Sequence, residues 1–322
     1  MGLSVRMSLA APLVAALTTL ALAGVSPVAV PASATALESA VAPGRAAEGA
    51  TADAGSSVPG AVRAPERLRV VDHNIEKRAP VLRRALAIAK RSDAEVVTLQ
   101  EVCAWQALDL RRDHPGWTIS YKPERSTDLC RSPARLDGLT TGPMVGNVTI
   151  WTGGADGDVA NHTFGPQRVT SDRTGLACVS WVATVRHRAC SVHLISPTAP
   201  EDVKVRTAQA KDVRRITGRW VRRGDLVVLA GDFNAKPHRR TMRHLYARRG
   251  VGRFREASST RPGGPECRCA RSTYDGRGVK IDYVFFSANR TAPRAPRRLR
   301  IVRTLSDHHL LVGWADLDVS PR

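Results

Sequence analysis

The sequence predicts an α/β fold in which two packed β-sheets are flanked by helices. Three observations support this prediction. Apolar segments of strand length recur along the chain, and amphipathic helical segments lie between them in two groups. Leu226–Ala230 is continuously apolar, which is typical of a strand buried on both faces. Residues 66–322 are numerous enough to build one such core.

The first 65 residues precede this domain. Residues 1–34 have the features of a secretory signal, with the apolar run Leu9–Val25 and a small-residue cleavage site after it. A transmembrane anchor is the alternative, but no cytoplasmic basic flank follows the run. Residues 35–65 are rich in Ala, Gly, Ser and Pro, which predicts a disordered linker or pro-segment. We expect a secreted, extracellular protein with no stable membrane anchor, and a monomer is assumed.

The domain is strongly basic. The chain holds 49 Lys and Arg against 29 Asp and Glu, and its first 66 residues contain three Arg and four acidic residues, so residues 67–322 carry a net charge of +21. Basic residues concentrate at Arg214–Arg223, His238–Arg255 and Arg294–Arg303. Each cluster alone is compatible with ordinary solvated charge. The overall excess favours a polyanionic partner, and nucleic acid is the first candidate.

Six cysteines in an exported chain indicate disulfides rather than metal ligands. They are Cys103, Cys130, Cys178, Cys190, Cys267 and Cys269. Six cysteines allow fifteen pairings, and the sequence does not choose among them. Cys267 and Cys269 have no second Cys pair or His pair beside them, so a zinc site is not expected.

Strands and helices alternate at the start of the domain. Leu68–His73 and Glu95–Leu99 are apolar segments of strand length, and each ends in polar residues. Between them, Ala79–Arg91 has one apolar stripe at helical spacing and is predicted to be a helix. Trp105–Arg112 is predicted to be helical and Trp117–Lys122 to be a strand.

A run of β-segments follows the polar loop Ser126–Pro143, which is long enough to line a site. The predicted strands are Asn147–Trp151, Val159–Val169, Leu176–Val185 and Ala189–Leu194. A hairpin turn is expected at Arg186–Arg188. Pro200–Arg219 has apolar residues at helical spacing with basic residues between them, which predicts a helix before the central strand.

Beyond the central strand, a basic helix is expected around Arg240–Tyr246. The Gly- and Pro-rich segment Ser258–Arg271 is predicted to be a loop. Val279–Phe286 and Leu310–Ala315 are apolar segments and are predicted to be the closing strands. The sequence contains no internal repeat.

Polar residues follow several of these strands directly. Asp232 and Asn234 stand at the carboxyl end of the central strand, where α/β folds collect catalytic groups. Asn74 and Glu101 also end buried strands, and with Asp232 they form an oxygen-rich set of the type that binds Mg²⁺ or Mn²⁺. Taken singly, Asp232 suits a polar turn and Glu101 a helix N-terminus.

Two histidines and a third aspartate complete the candidates. His193 ends a strand, where a lone histidine is more often a surface residue or a hydrogen-bonded residue than a catalyst. Asp282 interrupts an apolar run, which is costly unless the carboxylate has a partner. Asp307 and His308 form a pair that can titrate near neutral pH. The alternative for this pair is a polar loop with exposed histidines.

Together these positions resemble the endonuclease/exonuclease/phosphatase superfamily. The resemblance implies its DNase I-like α/β fold, a four-layer sandwich of two packed, mainly antiparallel β-sheets flanked by helices. The resemblance covers roughly residues 68–316 and keeps the family's order. The motifs are HNIE (His73–Glu76), LQE (Leu99–Glu101), GN (Gly146–Asn147), VHL (Val192–Leu194), GDFN (Gly231–Asn234), IDYVF (Ile281–Phe285) and SDHH (Ser306–His309). GDFN, IDYVF and SDH are specific in this order and spacing, whereas HNIE and VHL are weak alone.

The resemblance implies a catalytic role for five residues. Asp232 would position or activate the attacking water, and Asn234 would orient Asp232 and the phosphate. His308, held by Asp282, would act as general base or stabilise the charged transition state. His193 would contact a non-bridging phosphate oxygen. Such chemistry needs an in-line water and neutralisation of charge on the phosphate.

The resemblance also implies a metal site. Glu101, with Asn74 and Asp307 near it, would hold Mg²⁺ or Mn²⁺ on the scissile phosphate. Residues that bind the more distant part of the substrate would lie in loops without a family motif. The candidates there are Arg125, Arg131 and Arg135, although basic loop residues are usually only solvated.

We therefore predict a secreted, metal-dependent phosphodiesterase that acts as an endonuclease on DNA or RNA. A sphingomyelinase-type phospholipase C, or another phosphoesterase of the superfamily, is the alternative. A phospholipase would need an exposed aromatic or apolar hairpin to enter a bilayer, and only 5% of the residues are aromatic. A noncatalytic basic nucleic-acid-binding protein ranks last, because Glu101, Asp232 and His308 are all present.

Overall fold

A computed structural model describes residues 66–132, 142–196, 199–257, 271–291 and 297–320. The expected signal and linker fall outside these ranges, as do most of the predicted loop Ser258–Arg271 and the residues Arg135, Cys267 and Cys269. The described part of the chain contains two β-sheets of six strands each.

Sheet 1 is formed by strands from both ends of the domain. It contains β1 (Glu66–Asn74), β2 (Val96–Cys103), β3 (Thr118–Ser126), β4 (Met144–Trp151), β11 (Arg297–Val302) and β12 (Leu310–Leu317). The strand order is β11-β12-β1-β2-β4-β3, and β1 and β2 are parallel while the other neighbours are antiparallel. Helix α1 (Ala79–Arg91) connects β1 to β2, and α2 (Ala104–Asp113) connects β2 to β3.

Sheet 2 is formed by the middle of the chain. It contains β5 (Asp158–Thr163), β6 (Gly175–Val182), β7 (Arg186–His193), β8 (Leu226–Asp232), β9 (Phe254–Glu256) and β10 (Asp282–Ser287). The order is β5-β6-β7-β8-β10-β9. Here β7 and β8 are the parallel pair, and the long helix α3 (Pro200–Arg222) connects them.

Side-chain alternation along the strands divides each sheet into two apolar faces. Val70 on β1 and Val228 on β8 belong to one buried cluster between the sheets. Val71 packs outward in a cluster that includes α1 residues, and Leu229 packs outward in a cluster that includes α3 residues. The order helix, sheet, sheet, helix confirms the predicted four-layer sandwich.

The two parallel pairs bring their carboxyl ends to the same rim of the sandwich, because β2 contacts both β7 and β8 across the interface. Buried polar side chains fix this contact. Gln100 Nε2 donates a hydrogen bond to Ser191 Oγ at 3.0 Å, and Ser191 Oγ donates to the carbonyl oxygen of Leu99 at 3.0 Å. Residues that follow β1, β2, β7 and β8 therefore meet near one another.

Most predicted elements are confirmed, and α1 has the predicted bounds. The hairpin turn predicted at Arg186–Arg188 is wrong, because the turn occupies residues 183–185 and Arg186 already pairs with Val182. Basic residues fit this strand because neighbouring carboxylates neutralise them. Arg188 Nε, for example, lies 2.7 Å from Asp225 Oδ2.

Three further differences concern the lengths and types of elements. The strand predicted over Val159–Val169 ends at Thr163. The predicted basic helix around Arg240–Tyr246 is a five-residue 3₁₀ helix, Arg240–His244. The short strand β9 and the strand β11 were not predicted, and β11 alternates arginines with apolar residues within a segment assigned only as a basic cluster.

Two disulfides lie within the described residues, which confirms the disulfide prediction for four of the six cysteines. Cys103 at the end of β2 pairs with Cys130, and Cys178 on β6 pairs with Cys190 on β7. The first bond holds the start of the long loop after β3 against β2. No helix among the described residues is long and apolar enough to cross a membrane.

Candidate active site

The centre of the candidate site is Asp232, the last residue of β8. Gly231 precedes it with a φ of 146°, and a Cβ atom on this residue would lie 1.9 Å from the carbonyl oxygen of Val192 on β7. Only glycine therefore permits this close approach of the two strands. Phe233, which follows Asp232, is fully buried among aromatic rings and anchors the turn.

The strand register places three of the predicted residues side by side. Asp232 pairs with His193 on the parallel strand β7 and with Asp282 on the antiparallel strand β10. His193 Nε2 lies 3.6 Å from Asp232 Oδ2. The sheet therefore presents an imidazole, a carboxylate and a second carboxylate in one row at its rim.

His308 joins this row from the segment before β12. Its Nδ1 lies 2.9 Å and 3.1 Å from the two carboxylate oxygens of Asp282, and its Nε2 lies 3.7 Å from Asp232 Oδ2. The hydroxyl of Thr273 donates to Asp282 Oδ2 at 2.7 Å and accepts backbone N–H groups, which fixes the carboxylate. The predicted pair of His308 and Asp282 is thus present in the structure.

The electrostatics of this group follow from burial and mutual attraction. Burial opposes protonation of His308, but Asp282, Asp232 and Asp307 outweigh it and raise its pKa to about 10. Burial and repulsion by Asp282 raise the pKa of Asp232 to about 7. Burial lowers the pKa of His193 to about 4. Around neutral pH the row therefore combines an imidazolium, a carboxylate that exchanges protons readily and a neutral imidazole.

A second group of acids lies beside this row, where β1 and β2 end. Glu101 has a positive φ of 55° and forms an ion pair with Lys77. The hydroxyl of Ser306 donates to the carbonyl oxygen of Asn74 at 2.9 Å, which ties the segment containing Asp307 to the end of β1.

Glu76 lies next to Asp307. The backbone N–H of Asp307 donates to Glu76 Oε2 at 3.3 Å, and burial together with the charge of Asp307 raises the pKa of the Glu76 carboxyl. Asp307 Oδ1 is buried and has no hydrogen-bond partner among the described residues. Two adjacent carboxylates and an unsatisfied buried oxygen are the features that a hard cation stabilises.

The donor set therefore fits a divalent cation with oxygen ligands. Asn74, Glu101 and Asp307 are the predicted ligands, and Glu76 adds a carboxylate that the sequence analysis did not select. The side chains of Asp232, Asp282 and His308 also offer ligand atoms within 4.8 Å of one another, but the imidazole is engaged with Asp282 there.

Asn234 differs from the prediction in how it contacts Asp232. Its backbone N–H, not its side chain, donates to Asp232 Oδ1 at 2.8 Å, and its side-chain amide donates to the carbonyl oxygen of Leu194 at 2.9 Å. Asn234 has a positive φ of 49°, a conformation that asparagine tolerates better than most residues. Its side chain links β8 to the chain after β7.

The three candidate arginines have different positions. Arg125 is exposed at the end of β3. Its charge adds a small contribution to the lowered pKa of Glu101, after those of His193 and Lys77, and to the lowered pKa of His193, which is due first to burial, so Arg125 lies on the side of the site. Arg131 forms an exposed ion pair with Asp128 at 3.0 Å. Arg135 lies outside the described residues.

Three contributors to the site were missed by the sequence analysis. Glu76 stands in the HNIE motif, so its position was available as a signal. Lys77 follows that motif, and its ammonium contacts Glu101. Thr273 has no local signal, because it approaches Asp282 from a separate segment.

One family of known proteins matches most of the domain. The profile of the Endonuclease/Exonuclease/phosphatase family matches residues 71–308, a range that includes every site residue just described. No curated protein matches the sequence. Enzymes of this family generally hydrolyse phosphoester bonds and typically depend on a divalent metal.

Several solved structures share the fold at low sequence identity. Truncated Caenorhabditis elegans TDP2 is 15% identical, with a TM-score of 0.53 over 78% of this chain and 98% of its own. The human Nocturnin catalytic domain is 16% identical, with a TM-score of 0.54 over 78% and 95%. Sphingomyelinase C from Streptomyces griseocarneus is 17% identical, with a TM-score of 0.50 over 78% and 99%. Identities this low establish the fold alone.

Proposed function

The chain belongs to the endonuclease/exonuclease/phosphatase family, and we propose that it is a metal-dependent phosphodiesterase that cleaves nucleic acid. One observation carries the reaction type: Asp232, His308 and Asp282 converge at a rim that they share with the oxygen donors Asn74, Glu101 and Asp307. The strong positive charge of the domain is the reason for proposing nucleic acid as the substrate.

In the proposed mechanism, Asp232 accepts the proton of the attacking water as the water oxygen bonds to phosphorus. The ester P–O bond opposite the water breaks, and the leaving oxygen takes a proton from solvent and departs as an alcohol. The Asp232 pKa of about 7 suits a general base near neutral pH. His308 is held by Asp282 through Nδ1, so its Nε2–H is free to donate to a phosphate oxygen on which negative charge develops. His193, on the other side of Asp232, contacts a second oxygen of the same phosphate.

A divalent cation held by Glu101, Asn74 and Asp307, with Glu76 beside them, would neutralise charge on the scissile phosphate. We propose Mg²⁺ or Mn²⁺, because every side-chain donor in this set is an oxygen. The ammonium of Lys77 contacts Glu101, and this contact shows that the carboxylate can bind a positive charge. Arg125 would contact a neighbouring phosphate of the substrate, which its charge interaction with Glu101 and His193 supports.

Nucleic acid is favoured over a lipid substrate for two reasons. Residues 67–322 carry a net charge of +21, which attracts a polyanion over long distances. The large hydrophobic residues exposed in the described part of the chain are Leu and Val, without an aromatic residue among them. A hydrolase that enters a bilayer would be expected to expose aromatic or clustered apolar side chains.

We also propose that the protein is exported. The buried disulfides Cys103–Cys130 and Cys178–Cys190 support this, because disulfides persist in oxidising compartments. The signal-like character of residues 1–34 points the same way.

The test uses the purified protein with supercoiled plasmid, single-stranded RNA and sphingomyelin vesicles in parallel, each with Mg²⁺, Mn²⁺ or EDTA. Asp232→Ala and His308→Ala are compared with Asp225→Asn, which changes a carboxylate at the opposite end of β8. We expect nicking of the plasmid that requires metal, disappears in both site variants and persists in Asp225→Asn.

The other outcomes separate the alternatives. Hydrolysis of the vesicles without cleavage of nucleic acid would assign the protein to the sphingomyelinase-type alternative and keep the site. Tight, salt-sensitive binding of DNA without any hydrolysis, unchanged in both site variants, would contradict the catalytic proposal and favour a noncatalytic binding protein.

A further inference from the structure

The outer face of sheet 1 carries an unusual set of residues beyond the end of α1. Trp314 on β12 is mostly buried but keeps part of its surface accessible, and the strand register places Arg69 of β1 directly opposite it on one side and Arg298 of β11 on the other. Directly opposed residues on antiparallel strands have Cβ atoms about 4.5–5.5 Å apart. The sheet therefore places this tryptophan between two arginines on neighbouring strands.

Two adjoining clefts extend this face toward α1. One cleft, of about 330 Å³, is lined by Arg69, Arg91, Arg300 and Trp314 among others. The second, of about 360 Å³, shares Arg91 and Arg300 and adds Arg84. Both clefts are lined by arginines and by apolar side chains, so they suit a ligand that has anionic groups and an apolar part.

The positive charge of this face is mostly uncompensated. Asp316 pairs with Arg67, and the carboxylate of Glu95 accepts the backbone N–H of Arg69 at 2.8 Å and attracts its charge. Arg300 donates to the hydroxyl of Ser92 at 3.0 Å.

Four arginines on this face have no carboxylate partner in the part of the chain that the structure describes. They are Arg84, Arg91, Arg298 and Arg300. These four charges remain available to an anionic ligand.

We propose that Arg69, Arg91, Arg298, Arg300 and Trp314, here called the arginine–tryptophan face, form a noncatalytic binding surface for single-stranded nucleic acid. The guanidinium groups would bind phosphates, and an unstacked base would stack on the indole ring. Aromatic rings on an exposed sheet, flanked by basic side chains, are a common way to bind single strands. Arginine suits this role because its planar group binds phosphate in a bidentate manner.

This surface is separate from the catalytic rim. Arg69 lies five residues before Asn74 along β1, a distance of roughly 16 Å at about 3.3 Å per residue. It would therefore hold a part of the strand remote from the scissile phosphate. The choice of nucleic acid as ligand rests on the proposed function, whereas the existence of an anionic ligand site does not.

The experiment measures binding of a fluorescein-labelled oligothymidylate of about a dozen nucleotides by anisotropy, in EDTA and over a series of salt concentrations. The variants are Trp314→Leu, Trp314→Phe and Arg298→Gln. The matched control is Arg83→Gln, which removes an exposed charge from α1 outside both clefts.

We expect Trp314→Leu to weaken binding at least about 5-fold and Trp314→Phe to retain most of the affinity, because stacking needs a ring. Arg298→Gln should lower the slope of log K against log salt by up to about 1. Arg83→Gln should leave the slope unchanged. Inorganic polyphosphate, which has charge but no bases, should bind both Trp314 variants as it binds the unchanged protein.

Unchanged affinity in Trp314→Leu together with an unchanged salt slope in Arg298→Gln would overturn the proposal. The arginines would then serve only to keep the edge of the sheet from pairing with another chain. Loss of binding to anionic vesicles in these variants, with oligonucleotide binding intact, would also overturn it in favour of a lipid surface. A second assay distinguishes failure of this binding surface from failure of the proposed catalytic function. Hydrolysis of bis(p-nitrophenyl) phosphate needs the catalytic rim and not this surface, so all four variants should match the unchanged protein in that assay.

Discussion

Replacement of Asp282 by asparagine tests whether the carboxylate sets the state of His308. The hydroxyl of Thr273 accepts two backbone N–H groups, so its own hydrogen must be donated to residue 282. In Asp282→Asn the amide oxygen would take this bond, and the amide NH₂ would then face His308 Nδ1. The ring would have to accept a hydrogen bond at Nδ1 and would lose its positive charge.

The structure allows the magnitude of this effect to be worked out. The pKa of His308 is raised from 6.5 to about 10, which corresponds to roughly 5 kcal/mol in favour of the imidazolium. The side chain is only 8% exposed, so solvent screening reduces this little. Asp282 contributes most among the three carboxylates that raise the pKa of His308, so we assign it about half of this free energy. Together with the loss of the correct tautomer, we expect kcat to fall by roughly 10²–10⁴-fold.

The assay measures initial rates on bis(p-nitrophenyl) phosphate and on plasmid, together with the titration of His308 by NMR. The imidazole pKa should fall toward its ordinary value in Asp282→Asn. Asp225→Asn, which removes a carboxylate at the far end of β8, is the control and should retain activity. A folded Asp282→Asn protein whose kcat stays within about 3-fold of the unchanged protein would refute this account of His308.

Three further predictions concern stability. Gly231→Ala should prevent folding or cost several kcal/mol, because the added Cβ would lie 1.9 Å from the carbonyl oxygen of Val192; a melting temperature within a few degrees of the unchanged protein would contradict this. Burial raises the pKa of Glu124 to about 8, so the folded state keeps a proton that the unfolded state loses above about 4.5, and stability should fall as pH rises from about 5 to 8. In Glu124→Gln, the free energy of unfolding measured by urea titration should depend less on pH over this range. An equally steep decrease in the variant would contradict the role of Glu124. Removal of the Cys178–Cys190 disulfide by a double substitution to alanine should cost about 2–4 kcal/mol in urea unfolding, with a loss below about 1 kcal/mol as the contrary result.

Much of the fold could be predicted because its signals are local. The apolar stripe of Ala79–Arg91 fixes the bounds of α1 through contacts only three or four residues apart. The continuous apolar run of β8 predicts a strand buried on both faces, and the structure buries all seven of its residues. The β11 strand was missed because exposed arginines alternate along it and its partner lies on a later segment.

The candidate site could be assembled from the sequence only as a set of separate motifs. GDFN and SDH are visible as residue patterns, and each predicts a polar side chain at a strand end. Their distances could not be predicted, because Asp232 and His308 are 76 positions apart and meet through the register of β8, β10 and β12. The side-chain amide of Asn234, expected to orient Asp232, is instead bound to Leu194.

By itself, the sequence therefore determined the order of the three α-helices and of most strands, the basic character of the domain and the residue types at the rim, since these follow from local periodicity and composition. Only the tertiary structure decided the pairing of Cys103 with Cys130, the contact of Glu76 with Asp307 and the position of Trp314 between two arginines. These contacts join residues far apart in the chain, and their geometry is set by strand register and by the packing of two sheets, which no local pattern encodes.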